Sequence, residues 1–165
     1  MKMQKQIKLI EQWAIDRGLD KNGTVEGQFF KTAEEVAELI IGISKGNLKL
    51  IKDSVGDVFV TLVVGCLIEG EDIDWDKKYR LAMETSFKYN LDKSTMIYDL
   101  VNSLNYLNEY DYAWMALPLT ITLKFICDFY NLELIDCIGS AYKEIAGRKG
   151  RVIDGTFVKE SDLNE

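Results

Sequence analysis

Residues 58–68 constrain the fold more than any other segment, because they form a mostly apolar run without a charged side chain. Asn47 can cap a helix that begins at about residue 48 and continues through this run to residue 68. A helix that is apolar all round must be buried on every side, either at the centre of a bundle or in an interface between subunits. The run is too short to span a bilayer, which takes about 20 apolar residues. We therefore expect a buried helix and no membrane partner.

The rest of the sequence predicts further helices. Of 165 residues, 47% are hydrophobic and one is proline, whereas sheet-rich domains of this size use more proline and glycine in turns. The length suits one domain with a full core. Periodicity and capping signals predict helices at 3–17, 24–44 with Thr24 as N-cap, 48–68, 75–89, 94–108, a segment after Asp111 that kinks or restarts near Pro118, and 132–146 with Gly147 as the stop. An Asp154–Gly155 turn predicts a small hairpin within 152–158.

Charge and residue usage exclude several functions. The net charge of -7 argues against non-specific nucleic-acid binding, which needs a basic face. The absence of histidine excludes Ser/His and Cys/His catalysis and zinc sites with a His ligand. Three scattered cysteines, without Cys-x-x-Cys spacing, favour reduced core thiols. Together with a charged N-terminal segment that does not resemble a signal peptide, they predict a cytoplasmic protein.

Carboxylates concentrate on two predicted helices. Glu34, Glu35 and Glu38 fall on one side of the first, and Asp53 and Asp57 repeat a spacing of four on the next. Two such helices could close around a hard cation such as Mg²⁺, which takes oxygen ligands. The alternative is a solvated face on which glutamates pair with lysines of the same helix, and for Asp57 a capping or salt-bridged surface role.

A basic cluster lies at the other end of the chain, from Lys143 through Arg148, Lys149 and Arg151, with Lys159 beyond it. Acidic and basic clusters are complementary halves of a triphosphate site, in which metal ions and cations neutralise phosphate charge. The alternative is a helix C-terminus whose cations favour the macrodipole.

Together these elements resemble the MazG-like nucleoside triphosphate pyrophosphohydrolases, especially phage-type members. The resemblance covers residues 1–68 and about 119–163. It is carried by Gln28-x-x-Lys31-x-x-Glu34-Glu35-x-x-Glu38, Gly56-Asp57, Ala141-x-x-Glu144-Ile145-x-x-Arg148-Lys149-Gly150 and Asp154-Gly155-x-Phe157-Val158-Lys159-Glu160.

The resemblance implies a single all-α, MazG-like helical bundle over residues 1–165. Residues of about 70–115 would be inserted helices, and 148–165 a C-terminal tail or hairpin. The implied assembly is a homodimer or homotetramer. The implied activity is Mg²⁺-dependent hydrolysis of a (deoxy)nucleoside triphosphate to monophosphate and pyrophosphate, with Mn²⁺ as a possible substitute, in a house-cleaning or nucleotide-pool role.

Carried over to this sequence, the resemblance assigns metal binding to Glu35 or Glu34 together with Glu38 and Asp57. The remaining glutamate of the pair would orient or deprotonate water. Lys31, Lys143 and Arg148 would contact phosphates.

One departure concerns Ser54, which stands where the family usually has a glutamate three residues before Asp57. A serine hydroxyl is a weak neutral ligand, so weaker binding of one cation is expected unless Asp53 compensates. Asp53 is one residue before Ser54 and therefore lies about 100° around the helix from it. Two other hypotheses therefore stay open. One is a catalytically weak MazG-like protein that binds a nucleotide or a protein partner, and the other is a structural bundle in which the acidic and basic clusters lie apart.

Overall fold

The computed structural model describes residues 2–85 and 92–164, and this part of the chain is mostly helical. The predicted all-α class is confirmed. The helices are α1 (Lys2–Asp16), α2 (Leu19–Asn22), α3 (Val25–Lys45), α4 (Leu48–Glu69), α5 (Trp75–Glu84), α6 (Lys93–Glu109), α7 (Tyr112–Phe129) and α8 (Leu134–Ala146). Strands β1 (Gly150–Ile153) and β2 (Thr156–Lys159) and a 3₁₀ helix, Glu160–Asn164, follow.

Helix α4 is the centre of the bundle. It packs against α3, α7 and α8 and also against α1 and α2. Val58, Phe59 and Leu62 have no exposed surface, as expected for a helix that is apolar all round. Of the two alternatives for residues 58–68, burial at the centre of the chain's own bundle is confirmed for most of the run.

Helices α3 and α4 form a hairpin whose capping signals were readable in the sequence. The Thr24 side chain accepts a hydrogen bond from the Gly27 amide at 3.0 Å, and the Asn47 side chain accepts one from the Leu50 amide at 3.2 Å. Gly46 ends α3 with φ of 65°, a left-handed conformation that glycine adopts without strain. The predicted caps Thr24 and Asn47 are confirmed.

A close crossing brings α8 onto α4 beside Asp57. A Cβ at Gly56 would lie 2.3 Å from the Cys137 carbonyl oxygen and 2.8 Å from the Ala141 Cβ. The absence of a side chain at Gly56 therefore permits direct contact between the two helices. This contact brings the C-terminal end of the chain towards Asp57.

Helices α5 and α6 join the same core as the rest of the bundle. Helix α5 packs on α7 and α1, and α6 packs on α7 and α3. Trp75 contacts Phe59 of α4 with ring centroids 5.5 Å apart, and Met96 and Leu100 of α6 are buried. The N-cap of α6 is Asp92, whose carboxylate accepts a hydrogen bond from the Thr95 amide. Of the predicted helix 75–89, residues 86–89 lie outside the described residues.

Two features of the helices differ from prediction. Helix α7 runs unbroken across Pro118, so a fresh helix does not start there. Packing on α4, α5 and α6 offsets the loss of one backbone hydrogen bond. Helix α2 was not predicted, because its four residues are too few to show a helical period.

The C-terminal hairpin is confirmed. Gly150 pairs with Lys159 and Ile153 with Thr156 in antiparallel register. Asp154 and Gly155 have φ of 49° and 80°, the positive values that a two-residue hairpin turn requires.

The three cysteines are buried and free, which confirms core thiols in the positions predicted from their apolar neighbours. Among the helices of the described segments, none combines the length and apolar character needed to cross a membrane.

Candidate functional site

Most of the predicted site residues line one pocket of about 270 Å³. Residues of α1, α2, α3, α4 and α8 line it together with the C-terminal hairpin and the helix that follows. Its charged lining residues are the carboxylates Glu34, Glu35, Glu38, Asp57 and Asp162 and the cations Lys31, Arg148 and Lys159. The acidic and basic clusters, more than 80 residues apart along the chain, therefore meet in one place.

Helix α3 contributes Lys31, Glu34, Glu35 and Glu38, whose spacing of three and four places them on one face. Glu34 forms an ion pair with Lys31, and its side chain is 61% exposed. For Glu34 the structure thus shows the lysine pairing that the solvated-face alternative predicted. Glu35 is half-buried, and burial raises its pKa, with Glu38 and Glu34 adding to the rise and Lys31 and Lys159 opposing it.

Asp57 lies on α4, partly buried, directly after the buried residues Ser54, Val55 and Gly56. Burial is the main cause that raises the pKa of its carboxyl to about 7, and the charges of Glu35 and Glu144 contribute further. Arg148 opposes this rise. Because carboxylates crowd one another in a partly dry pocket, a bound cation would relieve their repulsion.

The lining residues fit Mg²⁺ in chemistry, since carboxylate oxygens are its preferred protein ligands. They do not form a finished coordination sphere. Among the described residues, no group of three or more His, Cys, Asp or Glu is close enough together to hold a metal ion. The side chains of Glu35, Glu38 and Asp57 would therefore have to turn towards one another to share a cation.

Ser54 and Asp53 do not line the pocket. Ser54 is 1% exposed, and its hydroxyl has no hydrogen-bond partner among the described residues. Asp53 is partly exposed and lies near enough to Cys137 of α8 to influence its pKa. Its position one turn before Asp57, about 6 Å along the helix axis, explains why the structure does not bring it to the predicted ligand position.

Of the basic residues assigned to phosphates, Lys31 and Arg148 line the pocket and Lys143 does not. Arg148 follows the end of α8 and forms an ion pair with Glu144. Lys143 is exposed on α8. Because Arg148 lies past the last helical residue, the helical period of α8 could not place it relative to Lys143.

The end of α8 is held by α1, which sequence reasoning did not anticipate. Arg17 donates hydrogen bonds to the Arg148 carbonyl oxygen through Nε at 3.1 Å and Nη2 at 2.5 Å. Trp13 donates from Nε1 to the Ile145 carbonyl oxygen at 2.8 Å, and the Arg17 guanidinium lies 4.6 Å from the Trp13 ring centroid. These contacts satisfy carbonyls at a helix terminus and fix the backbone that carries Arg148.

The hairpin adds two residues to the pocket: Phe157, which was given no role from the sequence, and Lys159, which was predicted only as an outlying member of the basic cluster. Both residues belong to β2, and Phe157 contacts Trp13 edge-on with centroids 5.3 Å apart. The Asp154–Gly155 turn signalled a hairpin, but nothing in the sequence indicated where the hairpin docks. Arg148, Phe157, Lys159 and Asp162 of the C-terminal segment are therefore part of the pocket wall.

A protein of Haemophilus phage HP1 is 32% identical to this chain over 162 residues, which cover 84% of this chain and 97% of the phage protein. The chain belongs to the same family as that phage protein. Its description is "Uncharacterized 18.2 kDa protein in rep-hol intergenic region", which states a genome position and no activity. No family model and no solved structure gives a significant match. The function is therefore inferred from the pocket and its residues.

Proposed function

We propose that this protein is a Mg²⁺-dependent nucleoside triphosphate pyrophosphohydrolase of the MazG-like type. The observation that carries the proposal is the meeting of Glu35, Glu38 and Asp57 with Lys31 and Arg148 around one pocket. Oxygen ligands on one side and cations on the other suit a metal-bound polyphosphate. The resemblance of the sequence motifs supports the same reaction.

Roles for the carboxylates follow from their surroundings. Glu35 and Asp57 are crowded and partly dry, and with Glu38 they are the residues that would hold Mg²⁺. When bound, Mg²⁺ supplies charge neutralisation and polarises the phosphoryl oxygens. Glu34 lines the pocket, is exposed and is not one of the three carboxylates assigned to Mg²⁺, which leaves it to orient the attacking water and accept its proton.

In this reaction the water oxygen forms a bond to the α-phosphorus, and the bond from that phosphorus to the bridging oxygen of the β-phosphate breaks. The products are a nucleoside monophosphate and pyrophosphate. Arg148 and Lys31 would stabilise charge on the phosphate oxygens by charge-assisted hydrogen bonds. A protein nucleophile is not required, which suits a chain without histidine.

The proposal extends to the biological setting. Hydrolysis of non-standard or deoxy nucleotides would give the protein a house-cleaning or nucleotide-pool role in the cytoplasm. We propose a homodimer or homotetramer as the assembly, as the resemblance implies. Light scattering measures the mass of the assembly directly.

The test is pyrophosphate release from a panel of canonical and modified nucleoside triphosphates, with Mg²⁺ and then with EDTA. We expect EDTA-sensitive release from at least one substrate, reduced about 100-fold or more in Glu38→Gln. Glu26→Gln is the matched control, because Glu26 is exposed in the first turn of the same helix and does not line the pocket. Equal rates for wild type and Glu38→Gln on every substrate would show that hydrolysis does not occur at this site.

A second function is favoured by a specific observation. The carboxylates of the described residues do not form a finished metal site, and Ser54 supplies no carboxylate to it. Both points favour a catalytically weak protein that binds a nucleotide or a protein partner. Nucleotide binding without EDTA-sensitive pyrophosphate release would support this second function.

A further inference from the structure

The C-terminal hairpin is attached to the N-terminus of α3 at a point without room for side chains. The Thr24 amide donates a hydrogen bond to the Gly155 carbonyl oxygen at 3.0 Å. A Cβ at Gly155 would lie 2.1 Å from the Thr24 Oγ1, and a Cβ at Gly27 would lie 2.6 Å from the Gly155 carbonyl oxygen. The turn of the hairpin and the first turn of α3 are therefore in direct backbone contact.

Gly27 lies in the first turn of α3, where the absence of a side chain leaves room for the backbone of Gly155. Its amide also donates to the Thr24 Oγ1, so the helix cap and the hairpin contact share one residue. The docking point is thus built from Thr24, Gly27 and Gly155.

Strand β2 of the docked hairpin ends at Lys159, which lines the pocket. The other two cations of the pocket are engaged, Lys31 with Glu34 and Arg148 with Glu144. Across residues 2–85 and 92–164, by contrast, no carboxylate oxygen lies within 4.0 Å of the Lys159 ammonium nitrogen. Burial is the main cause of the raised pKa of Glu35, and the charge of Lys159 opposes that rise.

We propose that Lys159 binds a phosphate group of the ligand, and that Gly27 and Gly155 are positioning residues that hold it there through the docked hairpin. An ammonium group without an ion-pair partner can bind an anionic oxygen without first breaking a salt bridge. The ligand class is a polyphosphate ester or inorganic polyphosphate. This inference rests on the proposed function for the identity of the site, but it concerns binding and does not require hydrolysis.

The binding test uses inorganic tripolyphosphate with Mg²⁺ in isothermal titration calorimetry. We expect Lys159→Ala to weaken binding about tenfold or more. Lys149→Ala is the matched control, because Lys149 is exposed at the base of the same hairpin and does not line the pocket. Equal affinity of wild type and Lys159→Ala, or no binding by the wild type, overturns the assignment of Lys159.

The positioning role is tested by Gly27→Ala, with Glu26→Ala in the same helical turn as control. The added methyl group should displace the hairpin, weaken tripolyphosphate binding and shift the NMR signal of the Trp13 indole N–H, since Phe157 contacts that ring. Lys159→Ala should weaken binding without that shift. A Gly27→Ala protein that shows the shift and keeps wild-type affinity overturns the positioning role.

Failure of this inference is distinguishable from failure of the proposed function. If the wild type hydrolyses a nucleotide and Lys159→Ala leaves kcat/KM unchanged, the inference fails and the function stands. If the wild type hydrolyses no nucleotide but binds tripolyphosphate through Lys159, the inference stands and the function fails.

Discussion

Asp57 of α4 and Glu35 of α3 line one pocket, where burial first and the charge of Glu35 second raise the pKa of Asp57 to about 7. The protonated form of Asp57 is therefore favoured in the folded state over a range in which it ionises in the unfolded chain. The stability of the fold and the binding of a cation at Asp57 should therefore both depend on pH.

The first prediction is that Asp57→Asn is more stable than the wild type at pH 8. Because the folded pKa is raised, the stability contributed by protonated Asp57 is present below pH 4 and is lost as pH rises through about 7. At pH 8 the free energy of unfolding of Asp57→Asn should exceed that of the wild type by an amount on the order of 2 kcal/mol, after allowing for the partial exposure of Asp57. This difference should vanish near pH 4. Urea unfolding without divalent cations measures it. Asp53→Asn, outside the pocket, is the control, and a less stable Asp57→Asn at pH 8 would contradict the prediction.

The second prediction concerns Mg²⁺ in the absence of nucleotide. If Mg²⁺ binds with a Kd of about 1 mM, 10 mM Mg²⁺ should stabilise the fold by about 1.4 kcal/mol. The effect should be larger at pH 8 than at pH 6, because protons compete for Asp57 in this range. Thermal unfolding of wild type, Asp57→Asn and the control Glu26→Gln measures it. Stabilisation that survives in Asp57→Asn would place the cation elsewhere.

The third prediction concerns the contact between α4 and α7. A Cβ at Gly65 would lie 2.2 Å from the Cδ1 of Tyr112, whose hydroxyl is fixed by a hydrogen bond of 2.7 Å to Thr32. Gly65→Ala should therefore lower the free energy of unfolding by about 3 kcal/mol. Gly147→Ala, with no atom within 4 Å of the added Cβ, should change it by less than about 0.5 kcal/mol. Equal stability of the two variants would show that the packing around Tyr112 differs from that described.

The fourth prediction concerns Pro118 inside α7. Pro118→Ala restores a donor for the Trp114 carbonyl oxygen and removes a ring that clashes with the preceding turn. Stability should rise by about 1 to 2 kcal/mol, less than the full cost of an interior proline, because the proline also restricts the unfolded chain. Urea unfolding measures this, with Gly147→Ala as control, because an added Cβ there has no atom within 4 Å. A loss of stability would mean that packing of the proline ring outweighs its backbone cost.

Much of the fold was readable from the sequence because its signals are local. A threonine before α3, an asparagine before α4 and a glycine between them are capping residues that act within one helical turn. The uncharged run of residues 58–68 predicted burial because no helix face remains for water. Of the two outcomes predicted at Pro118, a kink or a fresh helix, the fresh helix is absent, because tertiary packing maintains α7 across the proline.

The site was only partly readable from the sequence, because sequence signals are local and the site joins distant segments. The spacing of Glu34, Glu35 and Glu38 follows from the helical period, so their common face was predictable. The position of Lys159 depends on where the hairpin docks, and the separation of Arg148 from Lys143 depends on how α1 holds the end of α8. Neither contact has a local signature.

The sequence by itself determined the helical class, the central helix, the capping residues and the carboxylate face of α3, because hydrophobic period and backbone capping act over a few residues. Only the tertiary structure decided which charges meet. The close approaches at Gly56 and Gly27 bring α8 and the hairpin to the carboxylates, and contacts between segments more than 80 residues apart depend on packing of the whole core.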